Sequence, residues 1–416
     1  MDKIVIEGRR PLSGTVKISG AKNAVLPIMT AALISSGISR ITRVPKLRDT
    51  YTMIKLLEIV GANVVFNGNT LEIDSTNVDN PEAPYDLVKT MRASFYILGP
   101  LMARFGRVKV SMPGGCAWGP RPVDFHLRGL ERLGAKLTLK DGYILAEAEQ
   151  LQGNEIRLEF PSVGATGNLA MAAATANGTT VIYNAAREPE IVQLCQFLNK
   201  MGADISGIGS ETLVIVGVNR LRPADITVIA DRIETGTFLI AGALLGEITV
   251  KDIEIKHLDA VLGKLNDVGC KISIGDSSIT LEPPDKIKPV DITTAVYPGF
   301  PTDLQAQWVA LMSLADGSST ITDTVYHDRF SHIPELSRLG ANIQVNHNTA
   351  FVRGVDSLVG APVMSTDIRA SASLIIAGLA ASGETEVSRV YHIDRGYERI
   401  EEKFRCLGAN INREHS

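Results

Sequence analysis

Cations recur where helices are expected to begin. Six segments rich in small residues open with Ser19-Gly-Ala-Lys22-Asn23, Met91-Arg92-Ala-Ser94, Ser162-Val163-Gly-Ala-Thr166, Asp231-Arg232-Ile-Glu-Thr-Gly236, Pro301-Thr-Asp303-Leu304 and Asp367-Ile-Arg369-Ala-Ser371. A helix N-terminus carries free N–H groups and a partial positive charge, so it attracts anions. Lys22, Arg92, Arg232 and Arg369 add cations where the dipole is already positive. That placement is unfavourable unless a carboxylate or an anionic ligand answers it. Each cation taken singly could be paired with a neighbouring carboxylate, whereas Lys22, Arg92 and Arg369 together point to an anion-binding cleft. Asp303 is the exception, an acid at a helix start, where the dipole keeps it ionised.

A second feature is the segment Pro113-Gly-Gly-Cys116-Ala-Trp118-Gly-Pro-Arg121-Pro122, with three Gly and three Pro in ten residues. Such a stretch forms a loop rather than a helix or strand interior. A thiol there, beside Arg121, could be activated as a thiolate; composition alone leaves an incidental loop cysteine as the alternative. Cys195, Cys270 and Cys406 fall in helical patterns or at a helix end and are expected in the core. The four cysteines lack CxxC spacing, so neither a disulfide framework nor a Cys-based zinc site is expected, and a reducing cytoplasm fits. The seven histidines show no HxH or HxxxH spacing, and no P-loop or strand-linked GxGxxG occurs.

The elements that carry these residues repeat. Helix-like segments stop at Gly61, Gly134, Gly202, Gly269, Gly340 and Gly408, and in phase with them the small-residue segments stop at Gly37, Gly106, Gly178, Gly246, Gly317 and Gly383, with spacings of 66 to 73 residues throughout. Glycine ends a helix in the left-handed conformation at least cost, and alternating strand-like residues follow each stop. Segments such as Leu169-Ala-Met-Ala-Ala-Ala174 are apolar all round and are expected to be buried helices. The chain therefore reads as six α/β units of about 70 residues. The sixth is short of a closing strand pair. The N-terminal strands around Ile4–Glu7 and Val16–Ile18 are expected to supply it. Six units divide into two domains of three, residues 20–229 and residues 1–19 with 230–416. The 416 residues, 45% hydrophobic and 21% charged, suit a globular chain, no apolar run reaches the ~18 residues of a membrane span, and a net charge of −4 argues against nucleic-acid binding.

Several of these motifs are familiar. Ser19 to Asn23, the Cys116 loop with Arg121-Pro122-Val123-Asp124, Arg187-Glu-Pro-Glu190, Asp231 to Gly236, Phe300-Pro-Thr-Asp303 to Gln307, Asp367 to Ser373 and His392-Ile-Asp-Arg395 to Ile400 resemble the enolpyruvyl transferase family, on its sugar-nucleotide side. The resemblance spans nearly the whole chain. It implies an inside-out α/β barrel of two pseudo-threefold domains. It further implies a cytoplasmic, monomeric enzyme that joins phosphoenolpyruvate to the 3-hydroxyl of UDP-N-acetylglucosamine at the first committed step of peptidoglycan synthesis, with no metal and no cofactor. By matching position, Lys22, Arg121 and Arg395 would hold the phosphoenolpyruvate anions, and Arg329 and Arg369 would complete a cationic wall. Asn23 would contact the intermediate. Arg92, Arg121 to Phe125 (with Pro122, Val123 and Asp124), Phe160, Pro161, Ser162, Val163 and Val325 would line the nucleotide-sugar site. Asp303 would take the sugar hydroxyl proton, and Cys116 would protonate C3 and be the target of the epoxide fosfomycin. Phe125 stands where many members have Leu, and Phe160 where some have Lys. Three alternatives are a shikimate-3-phosphate enolpyruvyl transferase, a silent UDP-sugar-binding paralogue and a purely structural repeat protein.

Overall fold

The structure, a computed structural model, describes residues 2–112 and 123–415. The third repeat shows how one unit is built. Strand Glu155–Arg157 leads into the helix Val163–Ala173, strand Thr179–Tyr183, the helix Pro189–Lys200 and the strands Asp204–Ser206 and Thr212–Val216. The first two strands pair in parallel across the helix, Ile156 opposite Ile182, as a crossover connection requires. The others pair antiparallel, Thr180 opposite Ile215 and Asp204 opposite Val216. Ile182, Leu213 and Ile215 face inward on one side of the sheet. The helix Val163–Ala173 is buried from Ala165 to Ala173 because its side chains are small and apolar on every face.

Among the described residues six such four-stranded sheets form, three in each of two compact units, Gly20–Ile229 and Met1–Ser19 with Ala230–Ser416. Each unit has its own apolar core. In the second unit the three inner helices, Arg232–Leu245, Gln305–Met312 and Ile368–Ala380, pack on one another. Within each unit the small-residue helices are buried, while the amphipathic helices such as Arg48–Ile59 and Asp259–Val268 keep one exposed face. All twelve helix-stopping glycines sit at positive φ, from 64° at Gly106 to 150° at Gly246, where a side chain would be strained.

The N-terminal strands behave differently from the expectation. Lys3–Glu7 does complete the sixth sheet, between Glu384–Ser388 and Asn410–Glu414. Gly14–Lys17 instead pairs in parallel with Ile248–Lys251 and opens the fourth sheet. The reason is cyclic closure: the last strand of a three-repeat unit has to become the first strand of that unit's opening sheet. Ile226–Thr227 does the same in the other unit, pairing in parallel with Ile38–Thr42 of the first sheet. In each unit the opening sheet thereby gains its fourth strand from the far end of the unit.

Candidate active site

Asp303 lies in a short 3-10 turn, Thr302–Leu304, just ahead of the helix Gln305–Met312. Its carboxylate is held from two sides, with Oδ1 2.7 Å from Arg329 Nη2 and Oδ2 2.9 Å from Arg369 Nη2. Both guanidiniums are buried, and the carboxylate keeps about a quarter of its surface exposed. Burial alone would raise the acid's pKa. The Arg369 and Arg329 charges outweigh it and hold Asp303 well below the usual carboxylate range. Burial opposes the charge on Arg369, and the neighbouring Asp303 overrides it, so this guanidinium stays protonated.

Local structure fixes each partner. Asp367 caps the helix Ile368–Ala380 by accepting from the Arg369 and Ala370 N–H groups at 2.7 and 3.2 Å, which sets the Arg369 side chain over the first turn. Arg329 Nη1 donates to Thr302 Oγ1 at 3.1 Å, and Thr302 donates in turn to Asp323 at 2.7 Å. The buried Asp323 also accepts from Val325 N and Tyr326 N, so it shapes the loop that carries Val325 and Arg329. His332, next to this loop, is buried and kept neutral, its pKa pushed down to about 3 by burial and then by Arg329. Arg395 ends the 3-10 helix Val390–Arg395, half-buried, and its neighbour Asp394 is gripped by both terminal nitrogens of Arg413 at 2.6 and 2.9 Å.

A second group forms in the unit Gly20–Ile229. Lys22 opens the helix Lys22–Ala31, with Nζ 3.4 Å from the buried Asp49, and Asn23 follows it half-buried. Arg92 opens the 3-10 helix Arg92–Ile97, and Asp124 and Phe125 open the helix Asp124–Arg132 just after Val123. Ser162 caps the helix Val163–Ala173 by accepting from Ala165 N, and Phe160 and Pro161 precede it, Phe160 well exposed. These three starts converge on Asn168. Its amide donates to Phe95 O at 3.1 Å, meets His126 Nδ1 at 2.9 Å and accepts from Gly99 N at 2.8 Å. Arg128 reaches Glu159 at 3.2 Å and ties the same segments on the outside. Burial, then the Arg92 charge, pushes the His126 pKa down to about 3, so its ring is neutral and the cation faces an uncharged wall.

The sequence model of the family described as EPSP synthase (3-phosphoshikimate 1-carboxyvinyltransferase) matches residues 6–404. The chain belongs to this family of enolpyruvyl transferases. The protein of Chloroherpeton thalassium named UDP-N-acetylglucosamine 1-carboxyvinyltransferase is 57% identical over 418 residues, covering 100% of this chain and 97% of its own length. One of the same name from Desulfosudis oleivorans is 53% identical over 414 residues, 99% of each chain. Among solved structures, the enolpyruvyl transferase NikO from Streptomyces tendae superposes with a TM-score of 0.90 at 29% identity, over 100% of this chain and 99% of its own. The EPSP synthase from Acinetobacter baumannii gives a TM-score of 0.78 at 17% identity over 100% of both chains, a likeness of fold alone.

Against this enolpyruvyl transferase fold, the residues singled out in the sequence divide clearly. Asp303, Arg329 and Arg369 come together, as do Arg92, Val123, Asp124, Phe125 and Phe160 to Val163. Lys22 and Arg369 each meet a carboxylate, the plain answer for a single cation, although Arg369 meets one from another repeat. Cys116, Arg121 and Pro122 lie outside the described residues. Cys195 and Cys270 are buried, with thiol pKa values pushed up by burial to about 12 and about 11. Cys406 departs from the expectation of a core cysteine: it is exposed, because Phe404 and Leu407 take the inward face of the helix Ile400–Cys406. Sequence reading missed Asn168, His126, Asp323, Gln307 and Tyr397. Asn168 and Gln307 carry one signal, a polar residue inside an apolar helical pattern, whereas His126, Asp323 and Tyr397 sit among polar or charged neighbours and carry none. Among the described residues no cluster of three His, Cys, Asp or Glu is placed to hold a metal ion, and no helix is long and apolar enough to cross a membrane.

Proposed function

We propose that the chain transfers the enolpyruvyl group of phosphoenolpyruvate to the 3-hydroxyl of UDP-N-acetylglucosamine and releases phosphate, the first committed step of peptidoglycan synthesis. The full-length identity of 57% to a UDP-N-acetylglucosamine 1-carboxyvinyltransferase carries this reading. In it the sugar oxygen bonds to C2 of phosphoenolpyruvate while a proton goes to C3, giving a tetrahedral ketal. The C2–O bond to phosphate then breaks, a proton leaves C3, and the enol ether remains. Such an addition needs an acid and a base on opposite faces. Asp303 takes the hydroxyl proton, and Cys116 delivers the proton to C3. Lys22, Arg121 and Arg395 hold the phosphate and carboxylate, with Arg329 and Arg369 beside them, and the leaving phosphate calls for such preorganised cations. Asn23 holds the intermediate. Arg92, Arg121 to Phe125, Phe160 to Val163 and Val325 line the nucleotide-sugar site, and the enzyme works as a cytoplasmic monomer.

The Asp303 geometry adds a condition. A carboxylate clamped by two guanidiniums is a weak base, so this ion-paired arrangement stores the base rather than deploys it. An incoming carboxylate or phosphate that draws Arg329 or Arg369 away raises the Asp303 pKa when the substrate is present. The test is phosphate release from phosphoenolpyruvate with UDP-N-acetylglucosamine, with shikimate 3-phosphate, and with neither. Release with the sugar nucleotide alone supports the reading. Release only with shikimate 3-phosphate, or none with either, overturns it.

A further inference from the structure

Behind Asp303 lies a buried polar cluster of which only Arg369 has a part in the proposed substrate site. Thr237 comes from the helix Arg232–Leu245, Gln307 from the helix Gln305–Met312, Arg369 from the helix Ile368–Ala380, and Tyr397 from the turn after Val390–Arg395. All four are buried. Arg369 spreads its two terminal nitrogens, Nη2 to Asp303 at 2.9 Å and Nη1 to the Tyr397 hydroxyl at 3.3 Å, with its Cζ 5.6 Å from the Tyr397 ring centre. Gln307 Nε2 lies 3.1 Å from the main-chain oxygen of Asp303, from Tyr397 OH and from Thr237 Oγ1. The Asp303 carbonyl can only accept, which fixes the amide orientation of Gln307.

One proton allocation satisfies both hydroxyls of the centre, while Gln307 Oε1 is buried without a hydrogen-bond partner. Thr237 donates to Ile233 O at 2.8 Å, Tyr397 donates to Thr237 Oγ1 at 2.8 Å, and the Tyr397 oxygen accepts from Arg369 and Gln307. Burial raises the Tyr397 pKa and keeps this phenol protonated, against the opposing pull of Arg369. Tyr397 is therefore the node through which both the carboxylate of Asp303, by way of Arg369, and its main chain, by way of Gln307, are fixed. Buried polar groups cost stability unless all are satisfied, and an apolar filling would be simpler if this region only supported the fold.

We propose that Tyr397 is a positioning residue for the reaction: its hydroxyl sets the Arg369 guanidinium, and with it the hold on Asp303 that governs proton removal from the acceptor alcohol. This rests on Asp303 acting as the base. The charged and titratable groups around the pair are Arg329 on its loop, Arg369 on its helix, Tyr397 beneath, the neutral His332 beside Arg329, and Asp231 at the start of the helix Arg232–Leu245, which acts on Arg369 and Tyr397.

The test is Tyr397→Phe in the full chain, with kcat, both KM values and the pH dependence of kcat. A loosened Arg369 holds Asp303 less firmly, so the Asp303 pKa rises and the acid limb of kcat moves to higher pH, by about half a unit or more. We expect kcat to fall about tenfold and both KM values to stay within about threefold, since Tyr397 itself makes no proposed substrate contact and Lys22, Arg121, Arg329 and Arg395 are untouched. Thr237→Val, which removes the acceptor for the Tyr397 proton, shifts the limb the same way, and Thr237→Ser, which keeps it, does not. A folded Tyr397→Phe with an unmoved acid limb overturns the inference. Should Tyr397→Phe fail to fold, the Thr237 pair decides: a limb equal in Val and Ser overturns it. Asp303→Asn separates the two readings. Full turnover in Asp303→Asn removes the base itself, whereas an inactive Asp303→Asn beside an unshifted Tyr397→Phe removes only the role of Tyr397.

Discussion

Asp303→Asn probes the centre of the site, because it keeps shape and removes one charge between two. Arg329 and Arg369 lie 2.7 and 2.9 Å from the carboxylate and are almost wholly shielded from water. Removing one partner of a buried ion pair costs ~3–5 kcal/mol because the remaining charge is left uncompensated. The carboxylate is about a quarter exposed, so the lower end, ~3 kcal/mol, applies. For a domain of this size that is a melting-temperature drop of ~6–12 °C. The Asp303 pKa is depressed on folding, so this stabilisation is complete above the unfolded value and is lost only as pH falls through the far lower folded one. At neutral pH the full cost is therefore visible. Turnover should fall by ~10² or more, the share of a general base. A third readout separates charge from base. The carboxylate occupies the two guanidiniums as an anion would, so its removal frees them, and inorganic phosphate should bind more tightly to the variant. The gain is about tenfold if the pair is open a tenth of the time in the parent. Calorimetric unfolding with a phosphate titration measures both. Turnover within a few-fold of the parent removes Asp303 from the base role, and phosphate affinity unchanged or weaker refutes the internal-anion argument.

His126 and His332 are buried neutral, with pKa values near 3 against an ordinary 6.5, so the unfolded chain binds more protons and stability should fall as pH drops from about 6.5 towards 3. The double variant His126→Asn, His332→Asn should flatten that slope in urea titrations, and an unchanged slope would refute neutral burial. Fosfomycin should add once, at Cys116, and Cys116→Asp should keep turnover while resisting it; a peptide map with the adduct on the exposed Cys406 would sink this reading. Gly236 packs under the Asp303 turn, where an added Cβ would come within 2.3 Å of Leu304 Cδ1. Gly236→Ala should cost ~1–3 kcal/mol by overpacking and lower kcat by shifting the turn, and a variant with parental stability and kcat would count against that packing.

How much of this was legible in the chain depends on how far apart in sequence the interacting groups lie. Glycine stops are local, and their positive φ values turn a sequence rhythm directly into six repeats. Helix starts are local too, which is why Arg92, Ser162, Asp303 and Arg369 could be singled out before their partners were known. The destination of the strand Gly14–Lys17 is not local. Its own residues suit any sheet, and only the requirement that three repeats close on themselves sends it to Ile248–Lys251. Cys406 failed for a related reason: a helical period marks which residues share a face, but not which face turns inward until Phe404 and Leu407 claim it. The network behind Asp303 is the extreme case, joining residues 237, 307, 369 and 397 from three repeats. In sequence Arg369 stands out as a cation at a helix start, but Thr237 and Gln307 read as single polar residues in an apolar helix and Tyr397 as an aromatic among charged neighbours, and nothing local links them. The inner helices bring these residues within hydrogen-bond reach, and all but the Gln307 side-chain oxygen find a partner there. The same repeat symmetry that makes the fold readable thus hides the site's supporting contacts, because equivalent positions in the six units carry different residues.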